Sequence, residues 1–530
     1  MTKNVISKIN PKLFFIFVSL ILFSYVYGDE IYLNDGRTLV GKVLDQDDKV
    51  VTFALGSKGA VTIKLQKSDI KDIITKPLLS EVKSLPVESN AILKAKELCI
   101  TYDIKSKQVT ESKDGKKEEK DSNSQITVGL GNSYLYIAEE NNNLIFDFKR
   151  SRIVSIDGIN KSYSDTSLFI NIGFRYMEFQ NRLFLRDVLN KALEKSEKNK
   201  PPPLAEIFDI ESMFAIEKPG SNEVSITENK RGDNYEYSFN NKIVVECRLS
   251  SNSLNNAEKS LFEKYLIYYC YLHPQIRKRI ISKNQIPQYL KYNYKDIGIT
   301  TSVELNLVKV ALAQRDSYAI PLDYTKVYNT NSEELSSIIY NVISGKSSIK
   351  RTEKADFIKI ADELKSKGSY FDAMLALLEC GLQTGEDSPE KMKEVISSGG
   401  ESDERLQVFL QNVGNRKDKE STEKALKGLE SINREGLMHG YVIDIMIGDG
   451  QMSLGDYKKA EESFLKALKA NPYIVGGYKD LGDLFNSSYD TVSAWQCWDT
   501  ARFLYPNHEM LQQINEYEKW LTKNYPDFFL

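Results

Sequence analysis

Side chains able to make or break bonds are few in this sequence and widely scattered. The three His residues, His273, His439 and His508, lie far apart, so their spacing suggests neither a metal cluster nor a His-based triad. His273-Pro274 falls in an apolar helical stretch and His508 follows Pro506, positions that suit ordinary structural roles. The five Cys residues, Cys99, Cys247, Cys270, Cys380 and Cys497, are odd in number, so at least one has no partner within a monomer. Each has apolar neighbours, as in Leu98-Cys99-Ile100 and Tyr269-Cys270-Tyr271, and no CxxC pair occurs. That favours small core residues over zinc or redox work. Asp45-Gln46-Asp47-Asp48 has the carboxylate density of a calcium loop but lacks the later bidentate acid and the Gly spacing, and reads as a solvated turn. Gly129-Leu130-Gly131 lacks the third Gly and the following helix of a phosphate cradle, and no GxSxG, HExxH or Walker pattern is present. No catalytic set, metal site or cofactor is therefore expected, and an enzyme here would have to work with scattered carboxylates.

The elements that position these residues must come from several domains, because 530 residues exceed what one hydrophobic core organises. Apolar residues at 41% and charged residues at 27% describe a globular chain, neither disordered nor a multi-span membrane protein. Lys+Arg (71) and Asp+Glu (74) nearly cancel, which leaves no basic footprint for nucleic acid. The N-terminus has the three parts of a secretory signal: Lys3, Lys8 and Lys12, the apolar run Leu13 to Phe23, and Ser24 to Gly28 before Asp29-Glu30. Cleavage near Gly28 is expected, placing the mature chain in the periplasm or outside the cell, without a transmembrane span. It removes three Lys and no acid, taking the formal charge from −3 to −6. The other reading is an uncleaved N-terminal anchor, because Tyr25 and Tyr27 are bulky and Ile31 and Leu33 prolong the apolarity. No Cys lies near the site for lipid attachment.

Residues 29–76 read as short strands joined by tight turns, with Asp35-Gly36 and the acidic turn at 45–48 as hairpin chemistry. The pattern from Ile31 through Asp35-Gly36-Arg37 to Ser68-Asp69-Ile70 resembles a small SH3-like barrel. Residues 77–90, with Pro77 and Pro86, read as a linker. Residues 91–330 read as an α+β domain: strand-like runs at 91–104 and 125–165, a helix over Ser167 to Lys195, a break at Pro201-Pro202-Pro203 with a helix after it, strands from Glu223 to Arg248, helical spacing from Asn256 to Lys283, then alternation at 286–328. Its charged insert, 106–124, has no apolar residue after Val109 and reads as an exposed hairpin loop or a disordered one. The run Leu144 to Asp165 resembles the consecutive strands of exported half-barrels akin to the lipoprotein carrier LolA. That resemblance implies a curved antiparallel sheet around helices, and a possible envelope lipid or lipoprotein as ligand.

Residues 331–530 read as helices in pairs. A unit starting at Tyr441 places Gly448 eighth, Ala460 twentieth, Phe464 twenty-fourth, Ala467 twenty-seventh and Pro472 thirty-second. The next, starting at Val475, places Gly482, Ala494, Trp498, Ala501 and Pro506 at the same positions, one 34-residue period later. These two units, 441–474 and 475–508, resemble tetratricopeptide repeats. A further match at 354–387 carries Ala361, Gly368, Tyr370, Ala373 and Cys380 in register but lacks the terminal Pro. Segments between it and Tyr441 read as diverged repeats, and 510–523 as a capping helix. The resemblance implies a solenoid whose concave groove holds a protein partner through the second, fifth, ninth, twelfth and thirteenth positions. Here those are Val442, Ile445, Asp449, Met452 and Ser453 in one unit, and Gly476, Lys479, Asp483, Asn486 and Ser487 in the next. Asp449, Met452, Lys479, Asp483 and Asn486 are the candidate partner contacts. The carboxylate clamp of chaperone-tail receptors is doubtful here, since only Lys479 and Asn486 have suitable polarity. The fold expected is thus a small N-terminal β-barrel, a middle α+β antiparallel sheet domain and a C-terminal helical solenoid. The function expected is protein binding in the bacterial envelope; the alternative is a lipid or lipoprotein carrier using an apolar cavity of the middle domain.

Overall fold

A computed structural model describes residues 29–34, 38–55, 61–74, 96–111, 117–194, 206–218, 220–296, 299–314, 320–321, 323–414 and 418–530. The expected signal peptide, the linker 77–90 and the break at Pro201-Pro202-Pro203 lie outside the described residues. These fall into two compact units, one within Met1–Lys83 and Tyr328–Tyr517, the other within Ser84–Val327 and Glu518–Leu530.

The N-terminal strands β1 (Asp29–Leu33), β2 (Thr38–Gln46), β3 (Val50–Leu55), β4 (Val61–Gln66) and β5 (Ile70–Ile74) form one antiparallel sheet in the order β4-β3-β2-β1-β5. Alternation turns Ile31, Leu33, Val51 and Phe53 to one side as its core. Between β2 and β3 the Asp47 carboxylate accepts the backbone N–H groups of Lys49 and Val50, both at 2.7 Å, which holds it below the usual carboxylate range. Its oxygens serve the turn, as the solvated reading of that loop expects.

The middle unit is a large mixed sheet with helices. Its strands are β6 (Lys96–Glu111), β7 (Lys117–Leu130), β8 (Tyr134–Glu139), β9 (Asn142–Asp147), β10 (Arg152–Asp157), β11 (Ser162–Ser167), β12 (Thr227–Arg231), β13 (Asn234–Phe239), β14 (Lys242–Ser253), β15 (Gln285–Asp296), β16 (Ile299–Gln314) and β17 (Thr325–Lys326). The order is β12-β13-β14-β15-β16-β6-β7-β8-β9-β10-β11-β17. Two meanders are thus joined where β16 pairs with β6, and β17 adds the sheet's parallel pairing with β11. Helix Asn256–Tyr268, started by a capping box between Asn255 and Glu258, lies on β7 and β8. Its Tyr265 stacks on Tyr102, and its Tyr268 meets Phe146 at 4.6 Å between ring centroids. On the other face Tyr136, Ile145, Val154 and Ile156 pack with Ile320.

The charged insert differs from expectation. Strand β6 runs to Glu111 and β7 restarts at Lys117, paired in register from Leu98↔Leu130 to Glu111↔Lys117, and β16 flanks β6 as far as Thr110. The ladder satisfies the backbone groups, and opposite charges such as Lys107 and Glu119, 2.7 Å apart, face each other across it. A ribbon with both faces in water can form strands without apolar side chains.

The C-terminal stretch is helical, beginning with Glu333–Ile343. Lys354–Ser366 pairs with Tyr370–Thr384, Val442–Ser453 with Tyr457–Ala470, and Val475–Ser487 with Thr491–Leu504; Pro389–Gly399, Glu404–Val413 and Lys419–Glu430 lie between. Each of the three hairpins turns through a left-handed residue: Gly368 at φ 76°, Gly455 at 78° and Tyr489 at 64°. Within the two later hairpins a small residue meets a large one. A Cβ on Gly448 would come within 2.7 Å of the Phe464 ring, and one on Gly482 would strike Trp498. The expected capping helix is Gln512–Asn524; Tyr517 lies against Trp495, whereas residues from Glu518 onward count with the middle unit.

Candidate functional site

Helix 370–384 departs most from a free concave groove. Its sequence Ala373-Met374-Leu375-Ala376-Leu377 is apolar all round, and nearly every side chain is buried. It packs against helices 354–366, 389–399, 404–413, 442–453 and 475–487. Its Leu382 lies so close to Gly476 that a Cβ there would come within 2.7 Å. Val442, in the same core cluster, Ile445 and Gly476 are all buried. The groove positions expected at those three residues are thus filled by the protein itself.

The later positions stay accessible. Asp449, Met452, Asp483 and Asn486 are half-buried, and Ser453 and Ser487 are exposed. Helix 475–487 brings Lys479 and Asp483 together one turn apart, Nζ to Oδ2 at 2.7 Å, with Asp480 at 3.5 Å from the same ammonium. The Trp498 indole N–H, from the partner helix, reaches the Asp483 carboxylate at 3.2 Å and the Lys479 carbonyl at 3.3 Å. The Asp449 charge, one hairpin earlier, acts on both Lys479 and Asp480. Burial pushes the Asp480 carboxyl well up, and the nearby charges of Asp449 and Asp483 add to that against the pull of Lys479. For Lys479, burial favours the neutral amine, but Asp480, Asp483 and Asp449 outweigh it and hold the ammonium above its usual range. Asp449 and Asp483 are thus the half-buried carboxylates beside this ammonium, whereas Asp480 lies buried behind it. Met452 and Asn486 lie on the same two helices. Asp480 was missed because it sits beside the core residue Leu481; the legible signal was Lys479 and Asp483 four residues apart on one helix, with Asp480 between them.

The three imidazoles serve as structural pins. His273 Nε2 lies 2.8 Å from Glu211, its Nδ1 accepts the Gln275 N–H, and the ring stacks on Phe208. Ser212 lines the same cavity as His273, but both ring nitrogens are already engaged, so no triad forms. That cavity, also lined by Phe208, Val245 and Tyr292, measures about 10 Å³, room for about one water and none for an acyl chain. His439 Nδ1 meets the buried Glu379 at 2.6 Å, and the same carboxylate receives Tyr441 Oη at 2.8 Å and Asn471 Nδ2 at 2.5 Å. His508 accepts the Met510 N–H and donates to the Gly381 carbonyl, and burial lowers its pKa to about 4. All five Cys are buried, and none is joined in a disulfide. Among the described residues no group of three or more His, Cys, Asp or Glu is placed to hold a metal ion, and no helix is long and apolar enough to cross a membrane.

The sequence matches no protein-family model and no curated protein.

Proposed function

We propose that this chain is an exported, non-catalytic scaffold of the bacterial cell envelope, holding a protein partner on tetratricopeptide-like helical hairpins. One observation carries the reading. The eighth and twenty-fourth positions of two consecutive units interlock, Gly448 with Phe464 and Gly482 with Trp498, and the first helices of these units carry Asp449, Lys479 and Asp483, with the Asp449 charge acting on Lys479. Because helix 370–384 fills the inner wall, binding is assigned to the acidic lip at Asp449 and Asp483, with Asp480 buried behind them, rather than to the full groove. The partner segment it suits is short and basic, since a net negative lip at a half-buried edge rewards cationic side chains and rejects acidic ones.

Export is tested by N-terminal sequencing of the envelope-localised protein. A mature terminus at Asp29 supports this reading, and a cytoplasmic chain retaining Met1 refutes it. Binding is tested by titrating the full chain with labelled Lys-rich and Glu-rich peptides. The lip predicts preference for the basic peptide, abolished by Asp449→Lys with Asp483→Lys; equal binding of both peptides removes the assignment.

A further inference from the structure

The last residues of the chain lie on the middle unit as a bound peptide would. Pro526–Phe528 forms a single 3₁₀ turn. The Tyr268 hydroxyl donates to the Phe528 carbonyl at 2.8 Å, and Lys264 Nζ donates to the Asp527 carbonyl at 2.8 Å. The Asp527 carboxylate meets Arg277 Nη2 at 2.6 Å and Lys278 Nζ at 3.4 Å. Burial would raise the Asp527 carboxyl, but Arg277 and Lys278 outweigh it and hold it below its usual range. The Phe528 ring is 1% exposed, edge-on to Tyr268, and the Arg175 guanidinium lies 5.4 Å from its centroid. Phe529 rests on Phe169 and Tyr525 on Tyr176.

The receiving surface is unusual in its charge. Arg175, Lys264 and Arg277 are 2%, 4% and 1% exposed. Among the described residues the carboxylates that meet these cations are Glu263, 3.4 Å from Arg277, and Asp527 itself. Arg175 gives one nitrogen to the carbonyls of Phe214 and Ile267, and its guanidinium lies over the rings of Tyr271 at 4.1 Å and Tyr268 at 5.7 Å. Buried cations are tolerated when paired and hydrogen-bonded, so a surface of this kind is complete only with an anionic occupant. Asp527 supplies the anion, and Phe528 fills the aromatic slot between Arg175 and Tyr268.

We propose that this cationic, aromatic cradle is a peptide-recognition site, filled in cis by Tyr525–Leu530, and that a partner protein's segment with an acidic residue followed by an aromatic one displaces it. The site is separate from the acidic lip and takes ligands of opposite charge.

The test compares the full chain with one ending at Asn524, using a fluorescein-labelled peptide of sequence Tyr-Pro-Asp-Phe-Phe-Leu and fluorescence anisotropy. The shortened chain binds with a Kd of about 1–100 μM, and the full chain binds at least about tenfold more weakly. Changing the peptide's Asp to Asn or its first Phe to Ala weakens binding about tenfold or more. A full-length Phe528→Ala chain, keeping the rest of the segment, gains binding in the same assay. The proposal is overturned if the shortened chain keeps its circular dichroism and does not bind, or if it unfolds, which makes the segment part of the core. It is equally overturned if the full chain binds as well as the shortened one, or if the full chain forms a dimer that truncation abolishes, which assigns the segment to exchange between copies.

Discussion

Replacing Gly448 by Ala separates a repeat-type interlock from ordinary helix packing, because the two pull in opposite directions. Removing a helical Gly gains about 0.5–1 kcal/mol from lower unfolded-state entropy and better propensity. Against that, the new Cβ would lie 2.7 Å from Phe464 Cε1 and 2.9 Å from Cδ1 and Cζ. Carbon atoms pack at about 3.5–4.0 Å, so the ring must retreat by roughly 1 Å. Phe464 is fully buried, so its neighbours must shift with it. Overpacking of this kind costs about 1–3 kcal/mol, which leaves a net loss between about 0 and 2.5 kcal/mol, centred near 1. In a unit of this size each kcal/mol moves the melting temperature by about 2–4 °C. Gly414, at φ −92° with no atom within 4 Å of its would-be Cβ, is the control, and Gly414→Ala should be neutral or slightly stabilising. Trp495 and Trp498 report urea unfolding of this region by fluorescence. Phe464→Leu in the Gly448→Ala background should recover part of the loss, giving a coupling of about 1 kcal/mol in the double-mutant cycle. If Gly448→Ala stabilises as much as the control does, the interlock does not hold the hairpin together.

The other predictions concern single local balances. Tyr489 occupies the left-handed turn position where the sister hairpins have Gly368 and Gly455, so Tyr489→Gly should stabilise by about 1 kcal/mol, seen as a higher urea midpoint. Glu379→Ala leaves His439, Tyr441 and Asn471 without their buried acceptor and should cost about 3–5 kcal/mol, with faster amide exchange around residues 438–441. His508 is neutral when folded down to about pH 4, against 6.5 when unfolded. The unfolded chain therefore binds more protons in that window, and the group's contribution, at most about 3 kcal/mol, is complete above pH 6.5 and lost as the pH falls toward 4. Burial raises Asp387 to about 6, with the Glu509 charge adding, so its folded form holds the proton and stability falls as the pH rises from 3.8 to about 6. Melting temperatures across pH 4–7 should rise less steeply in His508→Gln and fall less steeply in Asp387→Asn, which also gains stability at pH 7.

What could be read from the sequence was local. Strand alternation at 29–74 and 126–165, the helix over 169–194 and the 34-residue register of the last two hairpins all follow from spacing along the chain. What could not be read depended on distant partners. Nothing near residues 106–124 indicates that β16 will flank β6 and turn a charged stretch into ribbon. The all-round apolarity of 373–378 signals a helix buried on every side, but not that Leu382 will occupy the groove position at Gly476. Asp527 and Phe528 find their partners at Lys264, Tyr268 and Arg277, some 250 residues upstream, where no periodicity reaches. The acidic lip lies between these extremes: its residues were named from register, and their electrostatics came from the fold.

The proposal tested most directly is that a partner engages the lip formed by Asp449 and Asp483. The direct measurement is quantitative capture from an envelope extract by immobilised full chain, by Asp449→Lys/Asp483→Lys, and by a control reversal at the exposed Glu462. A discrete species should be held by the wild type and the Glu462→Lys chain and lost, by about tenfold or more, from the lip variant. Equal retention by all three chains would contradict it.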